Sequence, residues 1–296
     1  MSNIDPQQRR RGIGGSDVAG ILGISPWTTP LDVWRAKVLG DTDAETEPMR
    51  WGALLEPIIR AEAARRLGEP VTDGQLVVAD EWRFGNVDGL VGSDAILECK
   101  TARDGSEWGA EGTDEIPLHY LTQVAWYLAV TARSLAHVAV LIGGSDFRLY
   151  QVARDPRVEA AILERVSAFW CNHVGPQIPP PPTNLDDCRK RWRHEIAGKT
   201  APLTPEVAAA IVERQKESAI IKAAQERKAR AEFAIQSHMQ DAESIANADG
   251  SPVLTWKLQR RKEHVVAASE SRVLRVTKWA QKTPELSAVF TKEIAE

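Results

Sequence analysis

Apolar and polar positions change period several times along the chain, and each change marks an element. From Met49 to Leu67 the apolar residues Trp51, Leu54, Leu55, Ile58 and Ile59 recur at three- and four-residue spacing, which predicts a helix stopped by Gly68. Three strand-like runs follow, at residues 75–79, 82–87 and 94–101. Pro117 opens a helix running through Leu128, on which Tyr120, Gln123 and Tyr127 share one face. Residues 135–142 and 147–153 read as strands joined by the hairpin signal Gly143-Gly144-Ser145-Asp146. A helix from Pro156 to Val174 closes this block. Two short helices precede it all: one through Val18–Leu22, capped by Ser16 or Asp17, and one with Pro30 at its first position.

This order of elements predicts an α/β or α+β core. The four prolines 179–182 interrupt helix formation and suggest a boundary, giving domains 1–182 and 183–296. The second part begins with a short basic stretch. Residues 205–240 then have strong helix propensity without a clean heptad, which suggests a packed helix or helical hairpin. Residues 244–248 and 253–258, about Asp249-Gly250, read as a hairpin, followed by the basic trio Arg260-Arg261-Lys262. The expected whole is a sheet-and-helix core plus a mostly helical C-terminal extension with a small hairpin.

Composition narrows the setting more than the function. A hydrophobic content of 43% over 296 residues supports a substantial core. Cys99, Cys171 and Cys188 form no CxxC pair, which points to a reducing, intracellular environment with neither disulfides nor a zinc site. There is no apolar leader and no run long enough to span a membrane. A formal net charge of −4 argues against a uniformly basic nucleic-acid binder, so any such role requires basic residues gathered in one channel.

The candidate chemistry lies in residues 86–101. Asp88 beside Gly89 suits a tight turn. Beyond it, Ala95-Ile96-Leu97 is an apolar run ending in Glu98-Cys99-Lys100. Strand side chains alternate, so Glu98 and Lys100 share a face that Cys99 does not. An acid and an amine ending an apolar strand suit a hard cation and its ligands, although a surface strand with an ordinary Glu–Lys pair reads the same way. Glu56 lies beside the apolar stripe of its helix and needs either a metal or an ion pair with Arg60. Near the N-terminus, Arg9-Arg10-Arg11-Gly12-Ile13-Gly14-Gly15-Ser16-Asp17 places arginines and glycines before a helix start, an arrangement that favours an anion such as phosphate. A basic tail leading into a capped helix is the plainer alternative.

Together, Arg-Arg-Arg-Gly-Ile-Gly-Gly-Ser-Asp, Trp-Gly-Ala-Leu-Leu-Glu-Pro, Val-Asp-Gly-Leu, Leu-Glu-Cys-Lys and His-Tyr-Leu-Thr-Gln-Val resemble, in order and spacing, the YqaJ-like viral recombinase family. This is the lambda-exonuclease-like branch of the PD-(D/E)XK nucleases of phages and prophages. The resemblance spans residues 9 to about 182 and implies a restriction-endonuclease-like core with a central mixed sheet flanked by helices. Carried across by motif, Glu56, Asp88, Glu98, Lys100 and Gln123 are the implied catalytic residues. Glu56, Asp88, Glu98 and the Cys99 backbone carbonyl are the implied metal ligands, and Arg9, Arg10, Gly14, Gly15 and Ser16 the implied phosphate-binding set. Mg²⁺ is the implied cofactor, with Mn²⁺ able to substitute. The implied activity is digestion of linear double-stranded DNA from its ends, 5′ to 3′, leaving 3′ single-stranded tails for recombination. A toroidal homo-oligomer such as a trimer, a single-strand annealing partner and a host bacterial cytoplasmic location are implied with it. An endonuclease on the same site and a non-catalytic DNA-binding scaffold are the competing readings. The first is separated by closed circular DNA, the second by loss of an acid.

Overall fold

The structure, a computed structural model, describes residues 6–41, 44–260, 268 and 270–275. The chain divides into two units, Met1–Arg191 and Trp192–Glu296. In the first, helices α1 (Pro6–Arg10), α2 (Gly15–Leu22), α3 (Pro30–Trp34) and α4 (Glu47–Leu67) lead into the strands. These are β1 (Val71–Asp73), β2 (Leu76–Val78), β3 (Phe84–Asn86), β4 (Gly89–Val91) and β5 (Ala95–Ala102). Helix α5 (Leu118–Thr131) then crosses to β6 (Leu135–Ile142), and β7 (Asp146–Ala153), α6 (Pro156–Phe169) and α7 (Leu185–Arg191) follow.

Five strands form one mixed sheet in the order β1-β4-β5-β6-β7. β5 pairs antiparallel with β4 and parallel with β6. A parallel pair needs a long crossover, and α5 supplies it. Alternation along β5 sorts the core onto two faces. Ile96 joins Val124, Trp126, Val138 and Tyr150 in the cluster that takes in α2, α5 and α6. Leu97 joins Ile59, Ala63 and Ala139 beneath α4. Covered on both sides, β5 is buried from Ala95 through Glu98, as a central strand between helical layers requires. The expected mixed α/β core, with a central sheet flanked by helices, is the observed one.

Three local expectations are corrected. Asp88-Gly89 is not a turn: Gly89 begins β4, opposite Leu97, and the β4–β5 reversal falls at residues 92–94, where Gly92 has φ +52°. A Cβ on Gly89 would lie 2.6 Å from the Val71 side chain, so this glycine serves close strand packing. Helix α2 is capped by Gly14, not by Ser16 or Asp17. Asp17 lies inside the first turn and accepts the Gly14 N–H at 2.8 Å. The first unit also runs past the prolines at 179–182, because buried Asp187 on α7 accepts hydrogen bonds from the Thr29 hydroxyl and from the Thr183 hydroxyl and N–H, each at 2.8 Å.

In the second unit, α8 (Pro205–Met239) is one uninterrupted helix of 35 residues, neither packed along its length nor folded into a hairpin. Only Ala208 and Met239 are buried on it among the described residues. Strands β8 (Ser244–Ala246) and β9 (Pro252–Thr255) pair antiparallel, a hairpin shorter than the pattern suggested. Arg261 and Lys262 of the basic trio lie outside the described residues.

Candidate active site

β5 carries Glu98 and Lys100 on the face covered by α5, and the strand's period of two brings them together. The Lys100 ammonium donates to Glu98 Oε1 at 2.5 Å and to Gln123 Oε1 at 3.1 Å. It also stands 4.7 Å from the centroid of the Tyr120 ring, a cation–π contact. Gln123 Nε2 donates to Glu98 Oε1 at 2.8 Å and to the Tyr127 hydroxyl at 3.1 Å. Both amide hydrogens of Gln123 are thus committed, and the side chain clamps acid and amine in one orientation. Tyr120, Gln123 and Tyr127 recur at three and four residues on α5, so one helix face supplies the whole upper side of the site.

Asp88 approaches from the start of β4. Its Oδ2 accepts the Cys99 N–H at 2.8 Å, and Arg60 of α4 donates to its backbone carbonyl at 3.1 Å. Arg60 also pairs with Asp73 at 3.0 Å, tying α4 to the sheet edge. Glu56 is buried on α4, and its charge acts on both Asp88 and Glu98.

Burial and the neighbouring charges govern the ionisation. Burial pushes Asp88 well above the usual carboxylate range, and the neighbouring Glu98 charge adds to the effect. Burial likewise raises Glu98, against the pull of the Lys100 ammonium. Burial alone would lower Lys100, but the Glu98 and Asp88 charges outweigh it and hold the amine protonated. Lys100 is therefore a fixed cation rather than a base. Burial also raises Tyr127, keeping the phenol neutral beside Gln123.

Among the described residues, no group of three or more His, Cys, Asp or Glu side chains stands arranged to hold a metal ion. The expected ligand set of Glu56, Asp88, Glu98 and the Cys99 carbonyl is therefore not drawn into a closed cage. The reason is visible in the contacts: the Lys100 ammonium takes Glu98 Oε1, and the Cys99 N–H takes an oxygen of Asp88. One feature nevertheless fits a hard cation. Glu98 Oε2 is buried without a hydrogen-bond partner, beside a second carboxylate whose ionisation burial opposes. Such an oxygen is costly unless something positive meets it, and Mg²⁺ needs only one or two protein carboxylates because it keeps its waters.

The N-terminal motif packs onto the same network. A Cβ on Gly15 would lie 2.4 Å from the Tyr127 ring, and one on Gly14 would lie 2.8 Å from Phe84. These glycines bring the start of α2 against β3 and α5, a reason the sequence alone did not disclose. Buried Lys37 pairs with Asp17 at 2.6 Å and donates to the Arg9 carbonyl at 2.9 Å, locking α1 to α2. Arg10 donates from Nη2 to the Val38 carbonyl at 3.0 Å, so it anchors the backbone rather than facing a ligand. Arg9 and Ser16 are exposed. Lys37, Arg60 and Tyr127 were not singled out as site residues from sequence. Of these, Tyr127 had left a signal in its shared face with Gln123, and Arg60 as the expected ion-pair partner of Glu56. We expect Gly15→Ala to destabilise the first unit by about 1–3 kcal/mol through overpacking against the buried Tyr127 ring, measured as a drop in denaturant midpoint at unchanged m-value.

Fold and site together define an α/β protein whose central strand carries an acid–amine pair, clamped by a helix-borne amide and flanked by a second buried acid. Residues 6–134 match the model of the YqaJ-like viral recombinase domain. The match takes in Arg9, Ser16, Glu56, Asp88, Glu98, Lys100 and Gln123. The chain is 38% identical over 183 residues to the uncharacterized protein YqaJ of Bacillus subtilis strain 168, covering 58% of this chain and 56% of that one. It thus spans a little over half the length of that relative. Among solved structures, it is similar to an alkaline exonuclease from Laribacter hongkongensis, at 20% identity and TM-score 0.45, over 57% of this chain and 91% of that one. It is also similar to a phage-related exonuclease from Haemophilus somnus 129PT, at 16% identity and TM-score 0.45, over 56% and 96%. Among the described residues, no helix is long and apolar enough to cross a membrane.

Proposed function

We propose that the first unit is a metal-dependent deoxyribonuclease that digests linear double-stranded DNA from its ends, 5′ to 3′, and leaves 3′ single-stranded tails for recombination. The observation that carries this reading is the Glu98–Lys100–Gln123 network beside half-buried Asp88, with one Glu98 oxygen unpartnered. Mg²⁺, or Mn²⁺ in its place, held by Asp88, Glu98 and the Cys99 carbonyl with Glu56 alongside, would supply the Lewis acid that activates water and offsets phosphate charge. Lys100, kept protonated by its acidic neighbours, steadies the negative charge that develops on the scissile phosphate. Gln123 positions Glu98 and Lys100 relative to each other, a firmer role for it than contact with water or phosphate. Arg9 and Ser16, exposed on neighbouring elements that Lys37 joins, hold the terminal phosphate at the start of α2.

A homo-oligomer, a trimer by resemblance, encircling the DNA end, and a single-strand annealing protein receiving the tail in the bacterial cytoplasm, complete the proposal. The test is incubation of the whole chain with 5′-phosphorylated and 5′-hydroxyl linear duplexes and with closed circular DNA, in Mg²⁺ or EDTA. Loss of the 5′-phosphorylated linear duplex in Mg²⁺ alone, with the circle spared, is the expected result. Cutting of the circle would replace this reading with an endonuclease, and no cutting at all would remove the enzyme.

A further inference from the structure

Beside the clamped site lies a cleft that the mechanism does not use. It is lined by Gly23, Ser25, Pro26 and Glu107, and by Leu118 and His119 from the start of α5. Trp27, next in sequence to the lining residue Pro26, has 69% of its surface exposed and is the most exposed tryptophan among the described residues. Its ring meets the His119 ring edge-on, with centroids 4.9 Å apart, and lies 6.4 Å from the Tyr120 ring. Tyr120 in turn receives the Lys100 ammonium at 4.7 Å, which puts Trp27 within about 11 Å of that amine. Along a stacked strand, at about 3.4 Å per nucleotide, this is a reach of roughly three nucleotides.

The loop that presents Trp27 is held in place. Ser25 Oγ accepts hydrogen bonds from the Trp27 N–H at 3.2 Å, the Thr28 N–H at 3.1 Å and the Thr28 hydroxyl at 3.0 Å. Gly23, at φ +72°, makes the reversal out of α2 that leads into the loop. An indole fixed in water with one edge on a histidine is an unpaid cost unless a flat apolar partner covers it. The charge of the cleft selects among partners. Glu107 lines it, and burial lowers His119, whose Nε2 is buried without a partner, so the imidazole stays neutral. A phosphate would meet the Glu107 carboxylate and no lysine or arginine among the lining residues, whereas a nucleobase would meet a ring to stack on and a carboxylate for its amino edge.

We propose that the Trp27–His119 cleft is a nucleobase-binding site, in which Trp27 stacks an unpaired base of the strand being cut within about three nucleotides of Lys100. The inference deepens the deoxyribonuclease reading and rests on it. The full chain is mixed with linear duplexes carrying 2-aminopurine at each of the three terminal positions in turn, with Ca²⁺ replacing Mg²⁺, and quenching is recorded. Cleavage of the same duplexes in Mg²⁺ is followed in parallel. Wild-type protein is expected to quench one position strongly. Trp27→Ala should lose that quenching and raise KM about tenfold, within the range a stacked base contributes, and Trp27→Tyr should recover most of both. Trp27 is largely solvent-exposed, so unchanged circular dichroism is expected for both variants. Wild-type protein that cuts DNA, with quenching equal in Trp27→Ala, overturns this inference alone. So does a Trp27→Ala variant whose only change is a smaller particle mass, which would make Trp27 a contact between copies. Wild-type protein that neither cuts nor quenches overturns both readings.

Discussion

Lys100→Ala lowers the rate of Mg²⁺-dependent digestion of linear duplex DNA by about 100- to 1,000-fold, the loss expected when one preorganised donor is taken from developing phosphate charge. Its ammonium bonds Glu98 and Gln123 and stays protonated, so the substitution removes a fixed positive charge and not a titrating base. The same change leaves buried Glu98 and its acidic neighbours without their cation. Breaking a buried pair costs about 3 kcal/mol, and uptake of a proton by Glu98, already raised by burial, limits the loss. The variant is therefore expected to keep its circular dichroism spectrum while its melting temperature falls. Lys100→Arg should not rescue the rate, because a planar fork cannot replace a point charge between Glu98, Gln123 and the Tyr120 ring. Glu98→Ala should be equally inactive. Single-turnover digestion by either alanine variant at more than a tenth of the wild-type rate would remove Lys100 and Glu98 from the chemistry.

What could be read from the sequence was what repeats with a fixed period or ends at a marked residue. β5 was legible because two-residue alternation put Ile96, Glu98 and Lys100 on one face. α4 was legible as a helix from its three- and four-residue spacing and Gly68, although Trp51, Leu54 and Ile58 of the expected apolar face are exposed and Glu56, Ile59 and Ala63 are the buried ones; β6 and β7 were legible from the Gly143-Gly144 turn between them. β1 and β4 were not, because strands of three residues carry no period, and Gly89 reads as a turn residue until its Val71 neighbour is known. The site divides in the same way. Glu98, Lys100 and Gln123 come from two periodic elements, and their meeting follows once α5 crosses over β5. Lys37 reaches Asp17 and the Arg9 carbonyl across long stretches of chain, and nothing local in the sequence announces a lysine buried for that purpose. The glycines of the N-terminal motif suggested a backbone open to phosphate. Their tight contacts are with Phe84 and Tyr127, partners that only the fold supplies.

Mg²⁺ should stabilise the first unit more at about pH 8 than at about pH 5. The direction follows from two acids. Asp88 and Glu98 both have folded pKa values above their ordinary ones, burial being the first cause for each; repulsion by Glu98 adds to it at Asp88, and the Lys100 ammonium works against it at Glu98. Below the ordinary carboxylate range they are neutral in folded and unfolded chains alike, and their contribution to stability is fully present. As pH rises through the raised folded values that contribution is lost, because the unfolded chain ionises freely and the folded one resists. A divalent cation reverses the balance by binding the ionised pair, but it must displace protons to do so, and its grip weakens as pH falls. At about ten times its dissociation constant, bound Mg²⁺ adds about 1.4 kcal/mol, which for a unit of this size is a rise of roughly 3–5 °C in melting temperature. Glu98→Gln should abolish the rise at pH 8, and the melting temperatures of the two proteins should draw closer as pH falls, because burial favours the neutral form of the Glu98 carboxyl. Thermal melts at both pH values, in Mg²⁺ and in EDTA, measure all four quantities. An equal Mg²⁺ effect at both pH values, or one that persists in Glu98→Gln, would mean that the cation binds elsewhere and that the unpartnered Glu98 oxygen is not its ligand.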